Sequence, residues 1–531
     1  MTKRLVLALL ALPAVALAQE PDRSKLPSLT PAVFESRGTV SVELPVVTRQ
    51  PLSGFGPPPR TYVVPADREP VTRPFDPDLD ALPALVLAPP AEPLRDDLER
   101  RRFRAEGGGG AYASRYGRLD LSGLGAAGEF FVDADYDGVA GSADRVQFDR
   151  LDLRAGGRSF APGRLRIDGH ALLDGYTTPA SIASARRRRS AVGADVGIEG
   201  VGAVPYALTV GFEQGRLSRS DDSEPETNEG RVDAQGRIGL LGGRLRLDAG
   251  GGVAGAGGFG NDVQYGAGGL AVALGRADGA RLVLGARLLT YRASAASGGG
   301  EAQSVGPIVD LQLPLGRGRL FATNDPHLAV RSLADLTDDN PFVVAEPIVA
   351  PDVVPVDARI GIELRPGAAR LRAYGLGLYA PTYLAFAQSG AEFGEAYLEA
   401  TAYGLGGDLT LASPSGLSAS VGLELRRGTA DGGDRIPFYA PVVGRAGVQV
   451  PFAAGRGRLG LSARAESARP VDRGGIDTAP AWGRMALDAR YDLAGPLSVV
   501  LRGERLLGEA ERWPGAPEPP FTVLLGLRVS R

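Results

Sequence analysis

Four acidic side chains and a glycine are spaced so that they could hold a hard cation. Asp133, Asp135, Asp137, Gly138 and Asp144 occupy positions 1, 3, 5, 6 and 12 of a twelve-residue stretch, the spacing of a calcium-binding loop. Alternate carboxylates would supply oxygen ligands and the glycine the sharp turn, although position 12 carries Asp in place of the longer, bidentate Glu. The runs on either side, 128–132 and 145–148, read as strands, so the competing reading is a solvated acidic hairpin loop. A second set is the run Arg186, Arg187, Arg188 and Arg189. Guanidinium forks in such a run could clamp the phosphates of lipopolysaccharide or another anionic ligand, or simply lie solvated at a strand end. His170 and His327 are the only histidines, and neither stands in a Ser/His/Asp or metal-ligand spacing. With no nucleophile elbow and no glycine-rich phosphate loop, the chain is not expected to be an enzyme, and no cofactor is expected unless the acidic loop takes calcium.

Such side chains need elements to place them, and the chain begins with an address. Lys3 and Arg4 precede an apolar run at 5–15, and Ala16, Leu17 and Ala18 form a small-residue cleavage site before Gln19. Residues 1–18 therefore read as a secretory signal peptide. The apolar run is shorter than the ~20 residues of a membrane-spanning helix, and no later run is long enough. Cysteine is absent, so the exported chain is held without disulfides or a lipidated cysteine. A net charge of -3 over 531 residues gives no electrostatic reason to expect nucleic acid as a partner.

Residues 19–106 form a proline-rich segment, with sixteen prolines between Pro21 and Pro93. Proline cannot donate to a sheet ladder and stops helices, so this segment is expected to be mostly disordered, in the periplasm or in a lumen. Residues 94–104 could form one short charged helix, and Gly107, Gly108, Gly109 and Gly110 a flexible joint.

From 107 to 531 the hydrophobic period becomes two, the mark of strands with one apolar face. Ala419, Val421, Leu423 and Leu425 alternate with Ser418, Ser420, Gly422 and Glu424. Met485, Leu487, Ala489, Tyr491 and Leu493 alternate with Ala486, Asp488, Arg490 and Asp492, and Ile360, Ile362 and Leu364 with Arg359, Glu363 and Arg365. Tight-turn chemistry separates such runs, as in SPSG at 413–416, RPG at 365–367, GRG at 455–457 and AGP at 494–496. Longer polar stretches alternate with those turns, at 220–228, 295–302, 428–435 and 466–478. The expected fold is all-β: a transmembrane antiparallel up-and-down β-barrel of about 20–22 strands in the cell outer membrane. Its apolar face meets lipid and its polar face lines the lumen. Tyr379, Tyr383, Phe386, Phe438, Tyr439, Phe452, Trp482, Trp513 and Phe521 fall near strand ends, where aromatic girdles are expected.

The last part of the chain carries a resemblance. RWPG at 512–515, followed by FTVLLGLRV at 521–529, is similar to the closing strand of TonB-dependent outer-membrane receptors. The segment VSVELPVVT at 40–48 is similar to the N-terminal box by which those receptors contact TonB. The segment before the barrel is too short and proline-rich for the family's folded plug, and the chain ends on Arg531 where most such barrels end on an aromatic. The resemblance therefore implies a relative without a plug domain, acting as a transporter or channel for an unidentified solute. The alternative is a non-transporting envelope structural or assembly barrel whose tail at 19–106 binds a periplasmic partner. Either way the expected partners are outer-membrane lipids, lipopolysaccharide and the barrel-insertion machinery.

Overall fold

The computed structural model describes residues 100–531 apart from 126, 140–146, 161–162, 178–185, 201, 203, 220–225, 257–261, 276–278, 295–299, 344–349, 390–391, 505–511, 514–521 and 531. Residues 1–99, with the expected signal peptide, and Asp144 thus lie outside the described residues. Twenty-two antiparallel strands form a closed barrel, at the upper end of the expected number. The first strand, Arg100–Gly110, pairs with the last, Thr522–Ser530, from Arg104 opposite Ser530 to Gly110 opposite Leu524. Closure satisfies the backbone at that junction, as lipid requires. The glycines at 107–110, expected as a joint, are strand residues. A Cβ on Gly108 would lie 2.3 Å from the Leu525 carbonyl oxygen, and one on Gly110 1.8 Å from that of Val523. Inside the junction, Arg502 reaches Glu106 at 2.6 Å with both side chains buried.

Barrel strand is thus present from Arg100 among the described residues, ahead of the expected 107, and residues 100–104 of the proposed short helix are strand. Deletion of residues 21–98 should leave barrel assembly near the parental level. Extending the deletion to 104 should impair it, because the ladders from Arg100 opposite Leu124 to Arg104 opposite Asp120, and from Arg104 to Ser530, are lost. Heat-modifiable migration of outer-membrane fractions checks both, since a closed barrel resists detergent until boiled.

The two faces follow the sequence pattern. Val421, Leu423 and Leu425 are about half exposed, while Ser418, Ser420 and Glu424 between them are buried. On the last strand Leu525 and Leu527 point outward and Leu524 and Arg528 inward. Short turns at 241–244, 316–317, 365–368, 413–417, 453–456 and 495–496 cluster at one end. Gly367, Gly416, Gly455 and Gly495 supply the positive φ those reversals need. The barrel's own ends lie there too, Ser530 bonding to Pro496. That end faces the periplasm, and the longer connections, such as 325–355, 431–441 and 467–481, face outward. Strands Ala369–Ser389 and Glu392–Ala412 run 21 residues each. At roughly 3.3 Å per residue they are far longer than the ~25 Å apolar band requires, so they rise above the membrane. Among the described residues no helix is long and apolar enough to cross a membrane.

Candidate functional site: the lumen and its insert

The wall is low where the chain enters the lumen. The thirteenth and fourteenth barrel strands, Gly318–Asn324 and Val356–Leu364, are only seven and nine residues long, and between them the chain turns inward. Pro326 and Pro355 flank the neck of this insert. Asn324 ties it: its Nδ2 donates to the carbonyls of Pro307 and Pro355 and its Oδ1 accepts from the Asp357 amide at 2.9 Å. Gly306 is required beside the neck, since a Cβ there would lie 2.2 Å from the Pro355 oxygen.

The insert begins as a hairpin, His327–Val330 against Pro351–Val354. Helix α1, Leu333–Asp339, follows; its Ser332 cap accepts from the Asp335 amide at 3.1 Å, and Asp335 accepts from the Ser332 amide at 3.0 Å. This reciprocal box satisfies two amides that a seven-residue helix would otherwise leave unbonded.

Charged side chains on the inner wall hold the insert along much of its length. Arg189 donates to the Ala334 carbonyl at 2.9 Å and lies 2.8 Å from Asp174 and 2.5 Å from Asp338. Arg150 meets the same Asp338 at 3.0 Å, and Arg187 donates to the Val343 carbonyl at 2.6 Å. Arg231 donates to the Val330 carbonyl at 2.9 Å, and Glu229 accepts from the Leu333 amide at 2.5 Å. Arg287 bridges Asp248 at 3.0 Å and Asp325 at 2.6 Å. Burial pushes the Asp325 carboxyl above its ordinary value, with Arg287 offsetting part of the rise. Within the insert, Arg331 pairs with Asp339 at 2.5 Å and Asp352 at 3.0 Å. Burial alone would lower the Arg331 pKa; the two carboxylates outweigh it and raise it.

Apolar contacts finish the seating. Leu333 packs on Leu217, Ala334 on Leu172 and Ala191, and Val330 on Ala254 and Val263. Leu336, Phe342 and Val343 join Tyr176, Leu384, Phe386, Phe393 and Trp513. Trp513 stands 5.5 Å, 5.2 Å and 4.6 Å, ring centre to ring centre, from Phe386, Phe393 and Phe438. The insert thus reaches from the wall around Arg150 across to the long strands, occupying part of the outer half of the lumen.

This arrangement changes two sequence expectations. The four arginines at 186–189 alternate across the wall: Arg187 and Arg189 are buried against the insert, while Arg186 and Arg188 face outward. Tyr383, Phe386, Tyr439, Trp482 and Trp513 are buried, and Phe386 and Trp513 seat the insert, so these five do not form a lipid girdle. Phe452 is exposed as expected, stacked on Tyr491, whereas Phe521 is outside the described residues.

The acidic candidates Asp133, Asp135 and Asp137 stand on alternate positions of one strand, Gly128–Val139. Asp135 meets Arg118 at 2.6 Å. Among the described residues no group of three or more His, Cys, Asp or Glu side chains is placed to hold a metal. His170 lies over Gly193, and the Nδ1 of His327 lies 3.1 Å from the Asp325 carbonyl. The rest of the lumen is charged with both signs. Glu363 is buried among Arg319, Arg365 and Arg370 at 2.6–3.0 Å. Arg445, Arg464 and Arg484 are direct neighbours across three strands, with Arg464 held by Glu466 at 2.8 Å.

No family model and no curated protein matches the chain. Solved structures do match its fold. The FrpB iron transporter from Neisseria meningitidis superposes with a TM-score of 0.62 at 12% identity, over 81% of each chain. A copper transporter, OprC, gives 0.60 at 12% identity over 83% of this chain and 82% of its own. The ferric enterobactin receptor PfeA from Pseudomonas aeruginosa gives 0.58 at 14% identity over 82% and 80%. The fold is that of these transporters and receptors, and the chain is an outer-membrane β-barrel.

Proposed function

We propose that this protein is a transporter of the TonB-dependent-receptor type, lacking a folded plug domain, which moves a solute through a lumen controlled from the outside by its own insert. One observation carries the reading: a wide barrel with a charged lumen holds an insert seated by paired buried charges. A barrel of 22 strands encloses more space than wall side chains can fill. Transporters of this width are plugged, and here the insert at 325–355 takes part of that role. The likeness in fold to iron and copper transporters supports transport as the task.

Flux of small solutes into proteoliposomes tests it. The full chain should give low basal flux, and loosening the insert should raise it. Flux that stays at the protein-free level in both cases would favour the structural alternative, a barrel whose tail recruits a periplasmic partner. TonB dependence has its own test: a peptide spanning 40–48 should bind the periplasmic domain of TonB in calorimetry, and a scrambled peptide should not.

A further inference from the structure

On the outer wall, between the third and eighth strands, the chemistry changes sharply with height. The outward positions of the middle rows are apolar, with Val192, Val196, Ile198, Leu208 and Val210 each 38–48% exposed. One row nearer the outer end, Leu151 pairs with Leu173, Leu173 with Ser190, and Ser190 with Arg216. In the next row Gly175 pairs with Arg188, and Arg188 with Ser218; Arg186 lies at the strand's outer tip. Outward leucines therefore give way to outward arginines where the apolar band ends.

These arginines outnumber their acids. Arg115 meets Asp149 at 3.0 Å, and Asp149 also accepts from the Tyr136 hydroxyl at 2.8 Å and lies 3.7 Å from Arg186. Arg216 pairs with Glu226, both side chains well exposed. Arg188 has no charged or hydrogen-bonding partner among the described residues. Among the described residues these four cations face Asp149 and Glu226, while Asp174 in the recess lining is held by Arg189. Between them lies a recess of about 530 Å³, lined by Tyr136, Leu151, Leu173, Arg186, Arg188 and Arg216 among others.

We propose that this recess binds a phosphate of the phosphorylated glycolipid of the outer leaflet, lipopolysaccharide, with Arg186, Arg188 and Arg216 around the phosphate and Leu151, Leu173 and Val192 against an acyl chain. Guanidinium forks match phosphate oxygens bidentately. The recess sits where a headgroup must lie if the leucines below it meet hydrocarbon. A soluble anion has no use for the apolar floor, and a neutral lipid has none for the unbalanced arginines. The inference rests on the outer-membrane placement of the barrel and not on transport.

The test uses the full chain, purified from outer membranes in mild detergent, stripped of lipid and titrated by native mass spectrometry. Arg188→Gln should weaken lipopolysaccharide binding by about tenfold, the scale of one lost charge-assisted hydrogen bond. The triple variant R186Q/R188Q/R216Q should weaken it further, and both should stay heat-modifiable. Arg188→Gln breaks no internal pair, so its folding is not at risk. Dephosphorylated lipid A should bind the parental chain at least about tenfold more weakly than the phosphorylated form, by the same reasoning. The proposal is overturned if both variants bind like the parent, if dephosphorylated lipid binds equally well, or if inorganic phosphate alone binds as tightly as the lipid.

Discussion

Leu525→Arg should cut the heat-modifiable barrel recovered from outer membranes by at least about tenfold, whereas Leu525→Ala should stay near the parental level. Leu525 lies in the closing strand, opposite Gly109 on one side and Leu501 on the other, and is 60% exposed on the outer wall. In a barrel that exposure is to hydrocarbon. An arginine at the bilayer midplane costs roughly 2–4 kcal/mol in such proteins, beyond the about 1.4 kcal/mol that makes a factor of ten. Alanine removes contact with lipid and introduces no charge. Urea-unfolding midpoints in lipid vesicles would give the same ordering, and equal midpoints for the two variants would contradict the assigned face.

The second large effect is expected at Arg189. Arg189→Ala removes the cation 2.8 Å from Asp174 and the one 2.5 Å from Asp338, while Arg150, on the strand next to Asp174, still meets Asp338 at 3.0 Å. It also removes a donor from the Ala334 carbonyl of helix α1. Breaking a buried ion pair by removing one partner costs about 3–5 kcal/mol when the remaining charge has no other partner, and Arg150 offsets only part of that cost here. The wall is knitted by its ladders, so the loss falls on the insert. Solute flux in proteoliposomes should rise severalfold, and the insert should become cleavable by protease in folded barrels. The double variant R187A/R189A should exceed the single one, since Arg187 holds the Val343 carbonyl independently. Unchanged flux and cleavage in the double variant would mean that the insert does not depend on these arginines.

Much of the barrel is legible in the sequence, because each strand solves the same local problem. Alternation at 418–425 places Val421 in lipid and Glu424 in the lumen, and the glycines at 367, 416, 455 and 495 mark the periplasmic turns. The start of the barrel is not legible, because Arg100, Arg101 and Arg102 carry no alternation of their own and take their conformation from the ladder with the second strand. Arg186, Arg187, Arg188 and Arg189 are one run in sequence but two pairs in space, a separation that period two alone would have made. The insert is the larger omission. Its strands are four residues each, too short to show a period, and its helix is seven. A readable sign was the Ser332 to Asp335 capping spacing around the apolar pair Leu333 and Ala334. Burial of Tyr383 and Trp513 depends on contacts far apart in the chain, which spacing cannot convey.

The low wall also sets where the cylinder is weakest. Above it, residues 300–308 of the twelfth strand and 380–389 of the fifteenth have no ladder on their facing sides among the described residues, save Val353 opposite Thr382. A contact of 3.5 Å between the Tyr291 and Thr382 hydroxyls is one polar link across that gap, and the Leu384 amide donates to Asp352 of the insert. An amide held between two paired strands is released only when they part, but along these two edges one-sided fraying is enough. Deuterium uptake should therefore begin there, and under mechanical load the cylinder should unzip along this line, not at the first–last junction that Arg502 and Glu106 close from within.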